Sequence, residues 1–304
     1  MKRSAWMLAC TSLIASKAFA LSILLTNDDG YQHPNIRALY TALKAQGHTV
    51  KIAAPQSDQS ARGGAFFFGR EVTVGHDSDP AYPDSYFIST TEKGVCQSPD
   101  CAGKDVQIAI SGTPVMALLL GLNKILPHPD LVIVGPNPGN NLGAINMASG
   151  TFNAASAALQ AGIPALAVST DLKEKDPQRA AQLIAKLVQA LDKHRQPDGA
   201  LLPKGLGLNI NLPKDSPIKG VKLTRIGSYV GFEALYTEDL KSFNLPGKPG
   251  IGFQYSPAAT ATQHNDEAVW LNKGYLTISP FSGLPESISA GPALQKQLAR
   301  EVTP

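Results

Sequence analysis

The chain has 304 residues, 43% of them hydrophobic, and carries 27 Lys and Arg against 24 Asp and Glu, a formal charge of +3. That near balance, with no basic block of five or more residues, argues against a surface for polymeric nucleic acid. No apolar run reaches the ~20 residues that cross a bilayer, so no membrane anchor is expected.

The first element lies outside the fold. Met1-Lys2-Arg3 is a basic head, Ser4 to Ala15 an apolar run and Ala18-Phe19-Ala20 a small-x-small cleavage site, the pattern of a secretory signal peptide over residues 1–20. Cleavage after Ala20 removes Lys2, Arg3 and Lys17 and no acid, so the 27 basic residues become 24 against 24 acidic ones and the mature chain is formally neutral. The expectation is export to the periplasm or the medium. There Cys96 and Cys101, which bracket turn-prone Gln97-Ser98-Pro99-Asp100, meet an oxidising compartment. A disulfide between them would contribute roughly 2 kcal/mol in the chain-entropy model.

Ile23-Leu24-Leu25 then reads as a strand, Pro34 to Gln46 as a helix with Ile36, Leu39, Tyr40 and Leu43 on one face, and Val50 to Ala54 as a second strand. After a β-rich excursion (Phe66 to Val74, Tyr86 to Ser89) the alternation resumes. It runs strand Val106 to Ile110, helix Pro114 to Ile125, strand Leu131 to Val134, helix Thr151 to Ala161, strand Ala165 to Ser169. Such alternation implies an α/β fold with a doubly wound, mostly parallel sheet. From about 205 to 280, short strands at Leu208 to Leu212, Lys222 to Ile226 and Tyr275 to Ile278 sit among Gly-, Pro- and Asn-rich turns. They read as a β-rich extension packed on the core, with Asn244 to Gly252 a mobile loop. No low-complexity linker or repeat divides residues 21–304, which are taken as one domain.

The chemistry concentrates at Thr26-Asn27-Asp28-Asp29-Gly30, where two adjacent carboxylates end the first strand and a glycine turns the chain. Ligands of open α/β sheets sit beyond the carboxyl ends of strands, so this acid pair is where a catalytic cation is expected. Two further loops open on the same edge. Pro55 to Gly64, whose hydroxyls and free amides can reach inward, follows the second strand; Gly135-Pro136-Asn137-Pro138-Gly139-Asn140-Asn141-Leu142-Gly143 follows Leu131 to Val134. Ser149-Gly150-Thr151 opens a helix, where hydroxyls and free amides form a natural anion cradle.

Asn27 to Gly30, the Pro55 to Ser60 loop, Ser111-Gly112-Thr113-Pro114, Asn137 to Gly143, Ser149-Gly150-Thr151 and Gly162-Ile163-Pro164 resemble, in order and spacing, the SurE survival-protein family. The likeness continues through Leu208-Asn209-Ile210-Asn211-Leu212-Pro213 and Gly274 to Pro280, nearly the whole mature chain. The resemblance implies a Rossmann-like core with a β-hairpin extension used in oligomerisation, as a dimer or tetramer. It also implies a metal-dependent phosphohydrolase of nucleoside 5′- and 3′-monophosphates. Carried over by position, the metal ligands would be Asp28, Asp29, Ser60 and Asn137. Such hard oxygen donors suit Mg²⁺ or Mn²⁺. Asn141, Ser149, Gly150 and Thr151 would hold the substrate phosphate, and Asp28, with Asp29 beside it, is favoured for proton transfer.

The chain departs from the family pattern at Val134-Gly135-Pro136-Asn137, where Ser-Gly-Ile-Asn is usual, at Val115-Met116-Ala117 in place of an Asp and a Cys, and at Gln160 in place of a Glu. None of these is a proposed ligand; they bear on substrate preference and rate. Two competing readings are an exported broad-specificity acid phosphatase and a non-catalytic nucleotide- or phosphate-binding protein. A dinucleotide-dependent oxidoreductase ranks lower, because no Gly-x-Gly-x-x-Gly follows the first strand.

Overall fold

In the computed structural model, residues 20–95, 100–101, 103–214 and 217–283 are described. Residues 1–19 of the expected signal peptide and Cys96 lie outside them; Cys101 is disulfide-bonded. Strands are β1 (Ser22–Thr26), β2 (Thr49–Pro55), β3 (Val72–His76), β4 (Ser85–Val95), β5 (Asp105–Ser111), β6 (Leu131–Pro138), β7 (Ala165–Thr170), β8 (Leu206–Asn211), β9 (Val221–Leu223), β10 (Phe232–Thr237), β11 (Gly250–Tyr255) and β12 (Leu276–Ser282). Helices are α1 (Pro34–Ala45), α2 (Pro114–Leu120), α3 (Gly150–Gln160), α4 (Pro177–Lys193) and α5 (Glu267–Asn272).

The main sheet runs β3-β4-β2-β1-β6-β7-β8-β12-β9, with β5 paired to β4. β4, β2, β1, β6, β7 and β8 are mutually parallel, so their carboxyl ends share one edge. The chain moves outward from β1 to β2 and β4, then returns to lay β6 on the other side of β1. That reversal leaves a crevice beyond the ends of β1 and β6, the switch point at which open α/β sheets bind ligands.

Apolar residues on both faces of the central strands bury both sides of the sheet. Ile23 and Leu25 of β1 pack with Ile36, Leu39 and Leu43 of α1 and Ile184 and Val188 of α4. Leu24 points the other way, into Leu118 of α2 and Ala154, Ala155 and Ala158 of α3. The alanine face matters for the site, since small side chains let α3 lie close to the sheet and bring its first turn against the end of β1.

The architecture agrees with the α/β, doubly wound, mostly parallel reading, and several details differ. β5 is antiparallel to β4, so it does not resume the parallel alternation. The helix at Pro114 is α-helical to Leu120 and continues as a π-helical turn over Gly121–Ile125. α4 was missed, although Asp176 caps it through the Gln178 amide and Pro177 occupies its first turn. The β-rich texture after 205 is not one extension: β8, β12 and β9 complete the main sheet, and only β10 and β11 stand apart, as an antiparallel hairpin. Within Asn244 to Gly252, the last three residues already belong to β11.

Candidate active site

Asn27 shapes the turn that presents the acids. Its Oδ1 accepts from Gly30 N at 3.2 Å and its Nδ2 donates to Gly30 O at 2.9 Å, while Gly30 takes a φ of 104° that disfavours any residue with a Cβ. Because β1 is clamped between β2 and β6, the two carboxylates start from a fixed base.

Asp28 is buried and held by α3. The Thr151 hydroxyl donates to Asp28 Oδ1 at 2.8 Å. Gly150 makes this approach possible, since a Cβ there would lie 2.8 Å from Asp28 Cβ and 3.0 Å from its Oδ2. Burial raises the Asp28 pKa, and the Thr151 hydrogen bonds oppose that rise. Its main-chain oxygen accepts from Gln59 N at 2.6 Å, tying the loop after β2 to the acid turn.

Asp29 is different. Its Oδ2 is buried and accepts no hydrogen bond from the described residues. Burial, then the charge of Asp28, then that of exposed Asp58 push its pKa up to about 8. Among the described residues, no Lys or Arg pairs with any of these three acids. Asp58 had not been singled out from the sequence. Its Oδ1 accepts from Ser60 N at 2.9 Å and Ser60 Oγ at 2.7 Å, which leaves the lone pairs of Ser60 Oγ as its uncommitted function.

Asn137 enters from β6, whose register against β7 shifts between Val134 and Asn137. Such a bulge re-aims the side chain that follows it. Gly135 is required there, because a Cβ would lie 2.2 Å from Val168 O. Asn137 Nδ2 donates to Gly139 O at 2.6 Å, and its Oδ1 accepts no hydrogen bond from the described residues. Asn35 Nδ2 of α1 steadies the turn from behind through Pro136 O, at 3.0 Å.

The phosphate-binding expectations fare unequally. Ser149 Oγ caps α3 by accepting from Phe152 N at 3.0 Å, leaving its hydrogen free to donate. Thr151 donates its hydroxyl hydrogen to Asp28 Oδ1, so in this structure that hydrogen is engaged by a carboxylate. Asn141 is drawn inward. Its Nδ2 donates to Ser169 Oγ at 2.9 Å, its amide to Asn211 Oδ1 at 3.0 Å, and its carbonyl accepts from Asn209 and Asn211.

Beneath that loop lies a network the sequence reading did not assign. Fully buried Glu267 accepts from Gly143 N at 3.1 Å, from Asn209 Nδ2 at 3.0 Å and from Ser279 Oγ at 2.7 Å. Burial pushes its pKa up to about 7 against these hydrogen bonds. Asn209 and Asn211 alternate on β8, so a period of two aims both carboxamides at the loop. That alternation is the one signal that could have exposed the network.

The family model for the survival protein SurE matches residues 23–231. The chain belongs to the SurE family. It is 31% identical over 265 residues to the 5′-nucleotidase SurE of Desulfitobacterium hafniense, covering 86% of this chain and 90% of that one. It is 33% identical over 268 residues to the 5′/3′-nucleotidase SurE of Photorhabdus laumondii, covering 86% and 89%. The crystal structure of the SurE protein from Aquifex aeolicus superposes with a TM-score of 0.67 at 26% identity, covering 92% of this chain and 99% of that one. In this SurE chain, no three His, Cys, Asp or Glu side chains converge as a metal cluster among the described residues.

Proposed function

We propose that the chain is a divalent-metal-dependent phosphomonoesterase that hydrolyses nucleoside 5′- and 3′-monophosphates to nucleoside and phosphate. The observation that carries this reading is the buried Oδ2 of Asp29, which accepts no hydrogen bond from the described residues, beside Asp28 and Asp58, with no Lys or Arg among those residues paired to the three acids. Like charges in such a setting raise one another's pKa unless a cation joins them. The donors fit Mg²⁺ or Mn²⁺: Asp28, Asp29, Asn137 Oδ1 and Ser60 Oγ would hold it. When bound, such an ion neutralises phosphate charge and lowers the pKa of a bound water.

The remaining chemistry falls to the protein. Thr151 orients Asp28 and favours its ionised form against the effect of burial. With Asp28 Oδ1 committed to Thr151, geometry favours Asp29 over Asp28 for taking a proton from the attacking water. The Ser149 hydroxyl, at the start of α3, is placed to donate to a phosphate oxygen favoured by the helix dipole. We further propose an exported protein that assembles as a homo-oligomer. Support for assembly comes from Tyr236, Ile251 and Phe253, which leave an apolar hairpin face in solvent, and light scattering reads it directly.

The test is phosphate release from AMP with Mg²⁺ or Mn²⁺, repeated after exhaustive chelation, on the wild type and Asp29→Asn. The variant should lose most Mn²⁺ affinity and lower kcat by at least about two orders of magnitude, the scale of losing a principal electrostatic group. Full activity of Asp29→Asn, or activity that survives chelation, would overturn the assignment. AMP binding without phosphate release would instead identify a non-catalytic binding protein.

A further inference from the structure

Of the three acids gathered at the candidate site, Asp58 is the one to which the phosphomonoesterase reading gives no task. We propose, resting on that metal-dependent reading, that Asp58 is a positioning residue for the divalent ion. It turns the Ser60 hydroxyl so that a lone pair faces the ion, and it adds a third negative charge without taking a coordination position.

A serine hydroxyl is both donor and acceptor, and left to rotate it presents its hydrogen to a cation as readily as a lone pair. Asp58 removes that freedom. Its Oδ1 accepts from Ser60 Oγ at 2.7 Å, which commits the hydroxyl hydrogen to a carboxylate in a charge-assisted bond. The same oxygen accepts from Ser60 N at 2.9 Å, closing an Asx turn that also fixes the main chain from which the hydroxyl projects.

The loop that carries Asp58 is fastened to the acid turn through the main chain. Gln59 N donates to Asp28 O at 2.6 Å, and Tyr31 N donates to Pro55 O at 3.0 Å. The two segments also touch at Gly30, where a Cβ would lie 3.2 Å from Ser57 Cα. Asp58 is therefore held beside Asp28 and Asp29, and its charge raises the pKa of both. Three carboxylates gathered without a counter-charge repel one another, and a bound cation relieves that repulsion. Asp58 itself stays exposed, so its charge acts from the rim of the site. Groups that orient a metal ligand in this way typically change metal affinity 10- to 100-fold when replaced.

The orienting bond and the charge respond differently to salt. An exposed charge is screened as the Debye length falls from about 10 Å at 0.1 M to about 3 Å at 1 M, whereas the orientation of Ser60 is not. The experiment is Mn²⁺ titration calorimetry on the full mature chain after chelation, with Asp58→Asn and Asp58→Ala, each alone and combined with Ser60→Ala. Asp58→Asn keeps an oxygen for both Ser60 bonds and loses the charge, so Kd for Mn²⁺ should rise about tenfold at low salt and by less at about 1 M salt. Asp58→Ala loses both contributions and should raise Kd toward roughly a hundredfold, its excess over Asp58→Asn surviving at high salt. With Ser60→Ala in the background, the two substitutions should become equal, because no hydroxyl remains to be oriented. Metal-free Asp58→Asn should also unfold at a higher temperature than metal-free wild type, since one repelling charge is gone. Unchanged Mn²⁺ affinity in both single variants, or an excess for Asp58→Ala that persists without the Ser60 hydroxyl, would overturn the role of Asp58 and leave the metal-dependent reading intact. A wild type that binds no Mn²⁺ would overturn that reading and this role together.

Discussion

Thr151 couples two parts of the site that the sequence presents separately. Its hydroxyl donates to the Asp28 carboxylate, so a residue expected at the phosphate also touches the acid pair. Thr151→Val keeps the shape and deletes one charge-assisted hydrogen bond, about 1.5–3 kcal/mol, or roughly 10- to 100-fold in an equilibrium. The expected outcome is a matching loss of Mn²⁺ affinity, because Asp28 becomes harder to ionise, with kcat/KM for AMP falling alongside. Parallel measurement of Mn²⁺ binding and phosphate inhibition checks this. Phosphate inhibition weakened with Mn²⁺ binding untouched would return Thr151 to the phosphate cradle. The acid pair itself was legible, since two carboxylates at the end of an apolar strand stand out in any sequence. Asp58 and Glu267 were not, because a lone acid carries no local sign of what it will meet.

At the scale of elements, the loop Asn140–Gly143 is held from below by β8 and α5, with Glu267 the buried charge between them. Its pKa rises from an ordinary 4.5 to about 7 in the fold. A carboxyl group whose folded pKa is raised favours folding while neutral, so that contribution is fully present below pH 4.5 and is lost as pH rises through 7. At 1.36 kcal/mol per unit, the loss is about 3 kcal/mol at most. Glu267→Gln cannot ionise, and its amide can donate to Ser279 Oγ, which is also within 2.8 Å of Thr224 Oγ1 and so can reverse its own bond. Urea unfolding at several pH values should therefore show a shallower decline for the variant between pH 5 and 8, and greater stability than wild type at pH 8. A parallel decline in both proteins would show that Glu267 stays ionised throughout. The first βαβ unit was readable from apolar periodicity alone. α4 was equally legible, since Leu183, Ile184, Leu187, Val188 and Leu191 recur at helical spacing after the Asp176-Pro177 start.

Across the whole molecule, the residue that the export reading puts first in the mature chain is already tied into the core. Leu21 is buried, its amide donates to His48 Nδ1 at 3.2 Å, and its carbonyl accepts from Thr49 N at 2.8 Å. N-terminal sequencing of exported protein should find Leu21 first, and a chain shortened by three further residues should lose several kcal/mol, since it gives up a buried leucine, an isoleucine and ladder hydrogen bonds from a central strand. A mature start beyond Ile23 with unimpaired stability would refute both statements. The sequence by itself determined the α/β class, the order of most strands and helices, and the edge on which acids, carboxamides and hydroxyls gather, because apolar periodicity and turn residues act over short separations. It could not say that β8, β9 and β12 finish the main sheet, because a short strand carries no mark of its partner until distant residues pack. Nor could it say which donors are already spent. Whether Thr151, Asn141 or Asp29 keeps a free atom for a ligand depends on neighbours up to 123 residues away along the chain, which only the tertiary structure brings within hydrogen-bond reach.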